Sequence, residues 1–313
     1  MFFDNSVYEW GLHCIHFVQE SKNSFLTVIM LGISFLSDPI AYGIFLPLFF
    51  WCINEKKALS LGLLIFFSTS INTSIKNFLQ VPRPYISDPS VGLTSEHSFS
   101  TPSGHAQISA TFWPYAAYLS AKGIYFSKKN KKIKKSYNPK QAITIALAVG
   151  MPILIGFSRV YLGVHYPSDV ILGWAIGFSL SLGLILFAPK LIALFANVPK
   201  SLKTASLAVI SFLLNHIGAS DTSMSGLFFG FGTGYVFLSE KHGFDAKSGT
   251  LRKKILRYFL GLAILALVYV GLSLIFPGEE NVNYQLFRFL KYAIIGFFAS
   301  FTIPKIFIAL HLA

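Results

Sequence analysis

Apolar residues recur in this chain in runs too long for the core of a soluble domain. Leu61–Ser70, Ala142–Phe157 and Tyr258–Phe276 are apolar over most of their length, and a helix needs about 20 such residues to cross hydrocarbon. Membrane spans are expected at about 40–54, 58–79, 103–121, 141–157, 168–188, 203–218, 223–239, 253–276 and 286–309. Ahead of them, residues 7–19 are amphipathic, carry Trp10, His13 and His16, and predict an interfacial helix. Residues 24–36 are apolar but short and end at Ser37-Asp38-Pro39. They predict a half-span or the first limb of a kinked helix. The expected fold class is all-α: a polytopic helical membrane protein with about nine transmembrane helices plus that N-terminal interfacial or half-span segment.

Composition sharpens this picture. Of 313 residues, 53% are hydrophobic and 12% charged, with mean hydropathy +0.59; a soluble chain carries about twice that charged fraction. The net charge of +13 sits in short loops, without the aromatic-basic modules that bind nucleic acid, so no nucleic-acid partner is expected. Cys14 and Cys52 make neither a metal-binding spacing nor a disulfide framework. The first residues lack a basic leader and a small-residue cleavage site, so the first spans are expected to serve as the insertion signal.

The loops orient the spans. Residues 122–140 hold Lys122, Lys128, Lys129, Lys131, Lys132, Lys134, Lys135 and Lys140 and no acid. Residues 241–257 hold Lys241, Lys247, Arg252, Lys253, Lys254 and Arg257 against Asp245 alone. Both loops are expected in the cytoplasm, together with Lys56, Lys57, Lys200 and Lys203, and the acidic stretch 277–283 outside. Arg288 and Lys291, at the outer end of the last span, are a mild exception. Within the spans, Ser70, Asn72, Thr73, Ser74 and Asn77 form a stripe expected to bond between helices. Gly226, Gly230 and Gly234, like Gly173 and Gly177, recur at a spacing that lets helices approach closely.

Three polar segments break the apolar rule, and all three fall on the non-cytoplasmic side. They are Lys76 to Arg83-Pro84, Pro102-Ser103-Gly104-His105, and Ser158-Arg159 to His165 and Asp169. Lys76, Arg83 and Arg159 are fixed cations near hydrocarbon, a costly arrangement that a bound anion relieves. Arginine's planar fork matches phosphate oxygens and lysine adds a point charge. Ser103-Gly104 should open a helix whose free N–H groups also favour an anion. His165 and Asp169 are four residues apart, so the carboxylate can take the proton of one ring nitrogen and leave the other nucleophilic. His105, from a different helix, could protonate a leaving alkoxide and then activate water. Pro84 and Pro102 shape the chain, Ser158 caps or packs, and His13, His16, His97, His216, His242 and His311 lack a partner pattern.

The patterns K-x6-R-P, P-S-G-H and S-R-x5-H-x3-D fix eleven positions. The set resembles the signature of the phosphatidic acid phosphatase type 2 (lipid phosphate phosphatase) superfamily, which looks related to vanadium haloperoxidases and bacterial acid phosphatases. The resemblance covers about residues 40–188 and implies a six-helix phosphatase-type bundle without a metal or other cofactor. It implies His165 as nucleophile, Asp169 as its partner, His105 as acid/base, and Lys76, Arg83, Ser103, Gly104 and Arg159 as phosphate-binding. The expected organisation is an N-terminal segment at 1–38, a phosphatase core at 39–188 and additional helices at 189–313. These last are loosely similar to longer, sphingosine-phosphate-phosphatase-like members.

The expected function is hydrolysis of a lipid phosphomonoester at the outer face of a membrane, with the bilayer and its lipid phosphate as partners. The compact, Lys- and Asn-rich chain favours a bacterial inner membrane. Two other readings keep the phosphohistidine: a polyprenyl diphosphate or sugar-phosphate phosphatase, and a phosphotransferase. An anion or lipid transporter would need the cations but not a paired nucleophile and carboxylate.

Overall fold

The computed structural model describes residues 4–125, 139–218, 221–238 and 244–313. Lys128, Lys129, Lys131, Lys132, Lys134, Lys135, Lys241 and His242 lie outside the described residues. Helices run over α1 (Asn5–Gln19), α2 (Ser24–Phe35), α3 (Pro39–Cys52), α4 (Glu55–Leu79), α5 (Pro84–Ser87), α6 (Gly104–Tyr125) and α7 (Pro139–Tyr161). They continue with α8 (Pro167–Ala196), α9 (Lys200–Gly218), α10 (Ser223–Leu238), α11 (Leu251–Ile275), α12 (Tyr284–Phe297) and α13 (Ile303–Ala309). No strand occurs among the described residues. The fold is all-α.

Side chains explain where several helices start. Asp4 accepts from the N–H of Asn5, Asn23 from that of Leu26, and Thr250 from that of Lys253, each satisfying a donor that has no partner inside its helix. Between α2 and α3, Asp38 Oδ1 accepts from the N–H of Ile40 at 2.7 Å, and the two helices meet at a 49° bend.

Five helical stretches among the described residues are long and apolar enough to cross a bilayer: 55–87, 142–161, 167–188, 251–275 and 284–309. The bent pair α2 and α3 makes a sixth if counted as one span. The protein is an integral membrane protein. Three further stretches expected as spans are helices of a different character. Helix α6 buries Gln107, Ser109 and Thr111, α9 begins with Lys200 and Lys203, and α10 is 16 residues long.

The chain folds as two compact units. The first comprises residues 1–41 and 75–188. Its core joins Tyr8 and Ile15 of α1 to Val81, Val91, Ala106, Val160, Tyr166 and Val170. The buried face of α1, Tyr8, Gly11, Ile15 and Gln19, follows helical spacing. Gln19 is drawn fully inward, donating to the carbonyls of Val91 and Tyr161. A Cβ on Gly173 would stand 2.7 Å from the carbonyl of Ser103, and one on Gly177 2.3 Å from that of Gln107, so these glycines let α8 lie against α6.

The second unit comprises residues 42–74 and 189–313. Here α10 packs on α12 through Gly226, Gly230 and Gly234. A Cβ on Gly230 would fall 1.9 Å from the carbonyl of Ala293, contact that only bare backbone permits. Trp51 donates to the carbonyl of Ala299 at 2.8 Å. The wholly buried Arg257 donates to the carbonyls of Asp245 and Ser248 beneath the Phe244 ring. The polar stripe of α4 departs from expectation in part. Ser70 and Ser74 donate to carbonyls one turn back on their own helix rather than to a neighbour.

Candidate active site

All eight residues expected at the site fall in the first unit, and the chain's local structure delivers each of them. Lys76 rides the last turn of α4, and Arg83 is the residue before α5. Helix α6 begins at Gly104, where Ser103 Oγ accepts from the N–H of Ala106 at 3.5 Å. Arg159 closes α7, and α8 opens at Pro167 with Asp169 in its first turn. Between them Gly163 takes φ +69, and a Cβ there would meet the Val91 carbonyl at 1.8 Å. Glycine is what ends α7 and brings the chain back towards His165. The N–H of Ser103 then bonds the carbonyl of Asp169 at 3.0 Å, tying the start of α6 to the start of α8.

The three cations are buried: Lys76 is 6% exposed, Arg83 4% and Arg159 3%. Segment 98–101 runs across them. Lys76 Nζ donates to Ser98 Oγ at 3.3 Å and to the carbonyls of Phe99 and Ser100. Arg83 donates through Nε to the Ser98 carbonyl at 2.6 Å, through Nη2 to Ser98 Oγ at 3.0 Å, and through Nη1 to the Val164 carbonyl at 2.9 Å. These oxygens are neutral, so none of these contacts is an ion pair. Arg159 differs: it pairs with the Glu96 carboxylate and donates to Ser34 Oγ at 2.5 Å.

The His165 ring is oriented from both sides. Its Nδ1 lies 3.4 Å from Asp169 Oδ2, and its Nε2 lies 3.2 Å from Nη1 of Arg83. A guanidinium can only donate, so Nε2 carries the lone pair and Nδ1 the proton. Burial, then the positive charge of Arg83, Lys76, Arg159 and His105, holds the imidazole pKa well below its usual value. Both the burial and the surrounding charge favour a neutral ring, whose Nε2 lone pair is turned to Arg83. His105 Nε2 stands 3.9 Å from Asp38 Oδ2.

Residue spacing left several neighbours unseen. Ser34 comes from the last turn of α2, Asp38 from the break after it, and Glu96, Ser98, Ser100 and Thr101 from the loop before α6. The only signals they carry are an acid in the α2–α3 break and a hydroxyl pair directly before Pro102. His16, which has no partner pattern in sequence, is bonded to Asp88 Oδ2 at 2.8 Å. Ser158 donates to the carbonyl of Ile155 in its own helix.

A family model described as the PAP2 superfamily matches residues 57–193, and one described as a PAP2 superfamily phosphatase, transmembrane extension, matches 222–313. The chain is 32% identical over 173 residues to phosphatidylglycerophosphatase B of Bacillus subtilis (strain 168), covering 53% of this chain and 74% of that protein. The chain belongs to the PAP2 superfamily. All eight expected site residues of this PAP2 chain lie within the 57–193 match, whereas Ser34 and Asp38 precede it. It is also 29% identical over 174 residues to lipid phosphate phosphatase delta of Arabidopsis thaliana, covering 53% of this chain but only 39% of the plant protein. Two solved structures are similar. One is the first transmembrane PAP2 type phosphatidylglycerolphosphate phosphatase from Bacillus subtilis, at 27% identity and TM-score 0.48 over 60% of this chain and 88% of that one. The other is Aquifex aeolicus LpxE, at 25% identity and TM-score 0.42 over 56% and 93%.

Proposed function

We propose that this PAP2 membrane phosphatase hydrolyses a phosphomonoester of a membrane lipid through a phosphohistidine on His165. The observation that carries the reading is the pairing of His165 with Asp169 on one side and Arg83 on the other. In the first step His165 Nε2 attacks phosphorus and the phosphorus–oxygen ester bond breaks. His105 gives its proton to the departing alkoxide. In the second step water attacks phosphorus, His105 takes a proton from it, and the nitrogen–phosphorus bond breaks to release phosphate. Lys76, Arg83, Arg159, the Ser103 hydroxyl and the Gly104 N–H stabilise the equatorial oxygens throughout.

Two curated relatives bear the names of lipid phosphatases, which supports a lipid substrate here. The lysine-rich loop at 122–140 supports an extracytoplasmic site in a bacterial inner membrane. The deciding experiment is a panel of lipid phosphates, polyprenyl diphosphates and sugar phosphates given to the purified chain in detergent and in liposomes, with free phosphate as readout. Turnover of lipid monoesters is expected. Lipid binding without phosphate release at any pH from acidic to neutral would leave a carrier as the better account. For orientation, Ser95→Cys should react with a membrane-impermeant thiol reagent in intact cells, and Lys132→Cys should not, each with Cys14 and Cys52 replaced by serine.

A further inference from the structure

Ser100 and Thr101 have no place in the signature, yet their hydroxyls grip Asp169. Thr101 Oγ1 donates to Asp169 Oδ1 at 2.5 Å, and Ser100 Oγ donates to Oδ2 at 2.6 Å. The N–H of Tyr166 reaches Oδ2 at 2.9 Å, and His165 Nδ1 faces that same oxygen. Ser100, Thr101 and Asp169 are all fully buried.

Hydroxyl residues just before a helix ordinarily cap it. Here that position belongs to Ser103, and α6 begins at Gly104. The hydroxyls of Ser100 and Thr101 are committed to the carboxylate instead. A carboxylate turns about its Cβ–Cγ bond, and the ring and the Tyr166 N–H both meet Oδ2. Thr101 holds the opposite oxygen, so the plane is pinned at both ends. Ser100 Oγ also lies 3.4 Å from His165 Nδ1. Its single proton goes to Asp169, so it turns a lone pair towards the ring and suits a protonated Nδ1.

We propose that Ser100 and Thr101 are positioning residues for phosphoryl transfer: together they fix the Asp169 carboxylate so that His165 keeps its proton on Nδ1 and presents Nε2 to phosphorus. This rests on His165 being the nucleophile. Neither hydroxyl gives up its proton during the reaction, and neither touches the substrate.

The test uses the full chain in detergent, with Thr101→Val, Thr101→Ser and Ser100→Ala assayed on a lipid phosphate and on p-nitrophenyl phosphate. Thr101→Val removes the hydroxyl at nearly constant volume, and Thr101→Ser returns it. Thr101→Val and Ser100→Ala should each lower kcat about tenfold or more, the scale of one lost hydrogen bond to a charged group. KM should stay within about twofold, because the loss falls on the transition state. Both substrates should suffer equally, since the defect lies in attack and not in protonation of the leaving group. Thr101→Ser should recover most of the rate. The proposal is overturned if kcat is unchanged, if only KM rises, if the loss is confined to the lipid phosphate, or if Thr101→Ser is as poor as Thr101→Val. Equal losses of melting temperature in both Thr101 variants, matching their losses of rate, would likewise reduce these residues to scaffolding. His165→Ala is run alongside: a surviving labelled phosphoenzyme would overturn the nucleophile assignment itself, whereas its loss beside normal Ser100 and Thr101 variants overturns this inference alone.

Discussion

Glu96 forms an ion pair with Arg159, the cation that the last turn of α7 brings into the site. The same carboxylate belongs to a residue whose backbone N–H and carbonyl are both bonded to the Tyr85 hydroxyl, so the loop is seated in this position. On the proposed mechanism, a substrate phosphoryl group and the Glu96 carboxylate compete for one guanidinium. Glu96→Gln should lower KM for a lipid phosphate by about fivefold, the scale of a partly exposed ion pair, with kcat little changed. Steady-state kinetics at fixed ionic strength check this, and a raised KM would show that Glu96 supports binding instead.

The two histidines should fail in different ways. His165→Ala is expected to abolish both turnover and the acid-labile phosphoenzyme. His105→Ala should cost an alkyl phosphate about a hundredfold or more, within the range of general acid catalysis. It should cost p-nitrophenyl phosphate far less, because its leaving group departs without help. Equal losses on the two substrates would remove His105 from the acid step.

The pH profile should carry the mark of a buried neutral imidazole. Burial and the surrounding cations depress the His165 pKa, so the proposed nucleophile stays unprotonated as pH falls past the ordinary value of about 6.5. The acid limb that His165 sets in kcat/KM should therefore lie below that pH. Stability moves the same way: below about pH 6.5 the unfolded chain binds a proton that the folded one refuses. The contribution is present above the unfolded pKa and is lost as pH falls towards the folded one. A limb from His165 above pH 7 would contradict the geometry.

Arg83 gives the sharpest test of charge against shape. It reaches Ser98 through Nε and Nη2, and both Val164 and His165 through Nη1, a planar spread that an ammonium cannot reproduce. Arg83→Lys should lower kcat by about ten- to a hundredfold, the scale of one or two lost hydrogen bonds to a charged group. Rate and phosphoenzyme formation, measured together, check it.

How much of this the sequence held varies with distance along the chain. Lys76 with Arg83, Ser103 with His105, and Arg159 with His165 and Asp169 sit close together, so their spacing alone exposes them. The partners that tune them do not. Ser34 meets Arg159 from 125 positions away and Thr101 meets Asp169 from 68, and no spacing rule reaches so far. The number of spans is less legible for a related reason. Helix α6 turns Gln107, Ser109 and Thr111 inward, so a stretch expected as a span does not meet a count by length and apolar composition among the described residues. The glycine spacing of α10 could be read because bare backbone at every fourth residue has few uses other than close packing.

The first unit is not one uninterrupted piece of polypeptide: residues 42–74 leave it, group with 189–313, and the chain then returns at Ile75. Lys76 is thus the second residue after that return. A fragment ending at residue 188 would hold every signature position, yet it would strand 42–74 without the helices they pack on. Trimming or grafting this protein has to follow its fold rather than its numbering, since a cut at residue 188 parts 42–74 from 189–313, the stretch they group with.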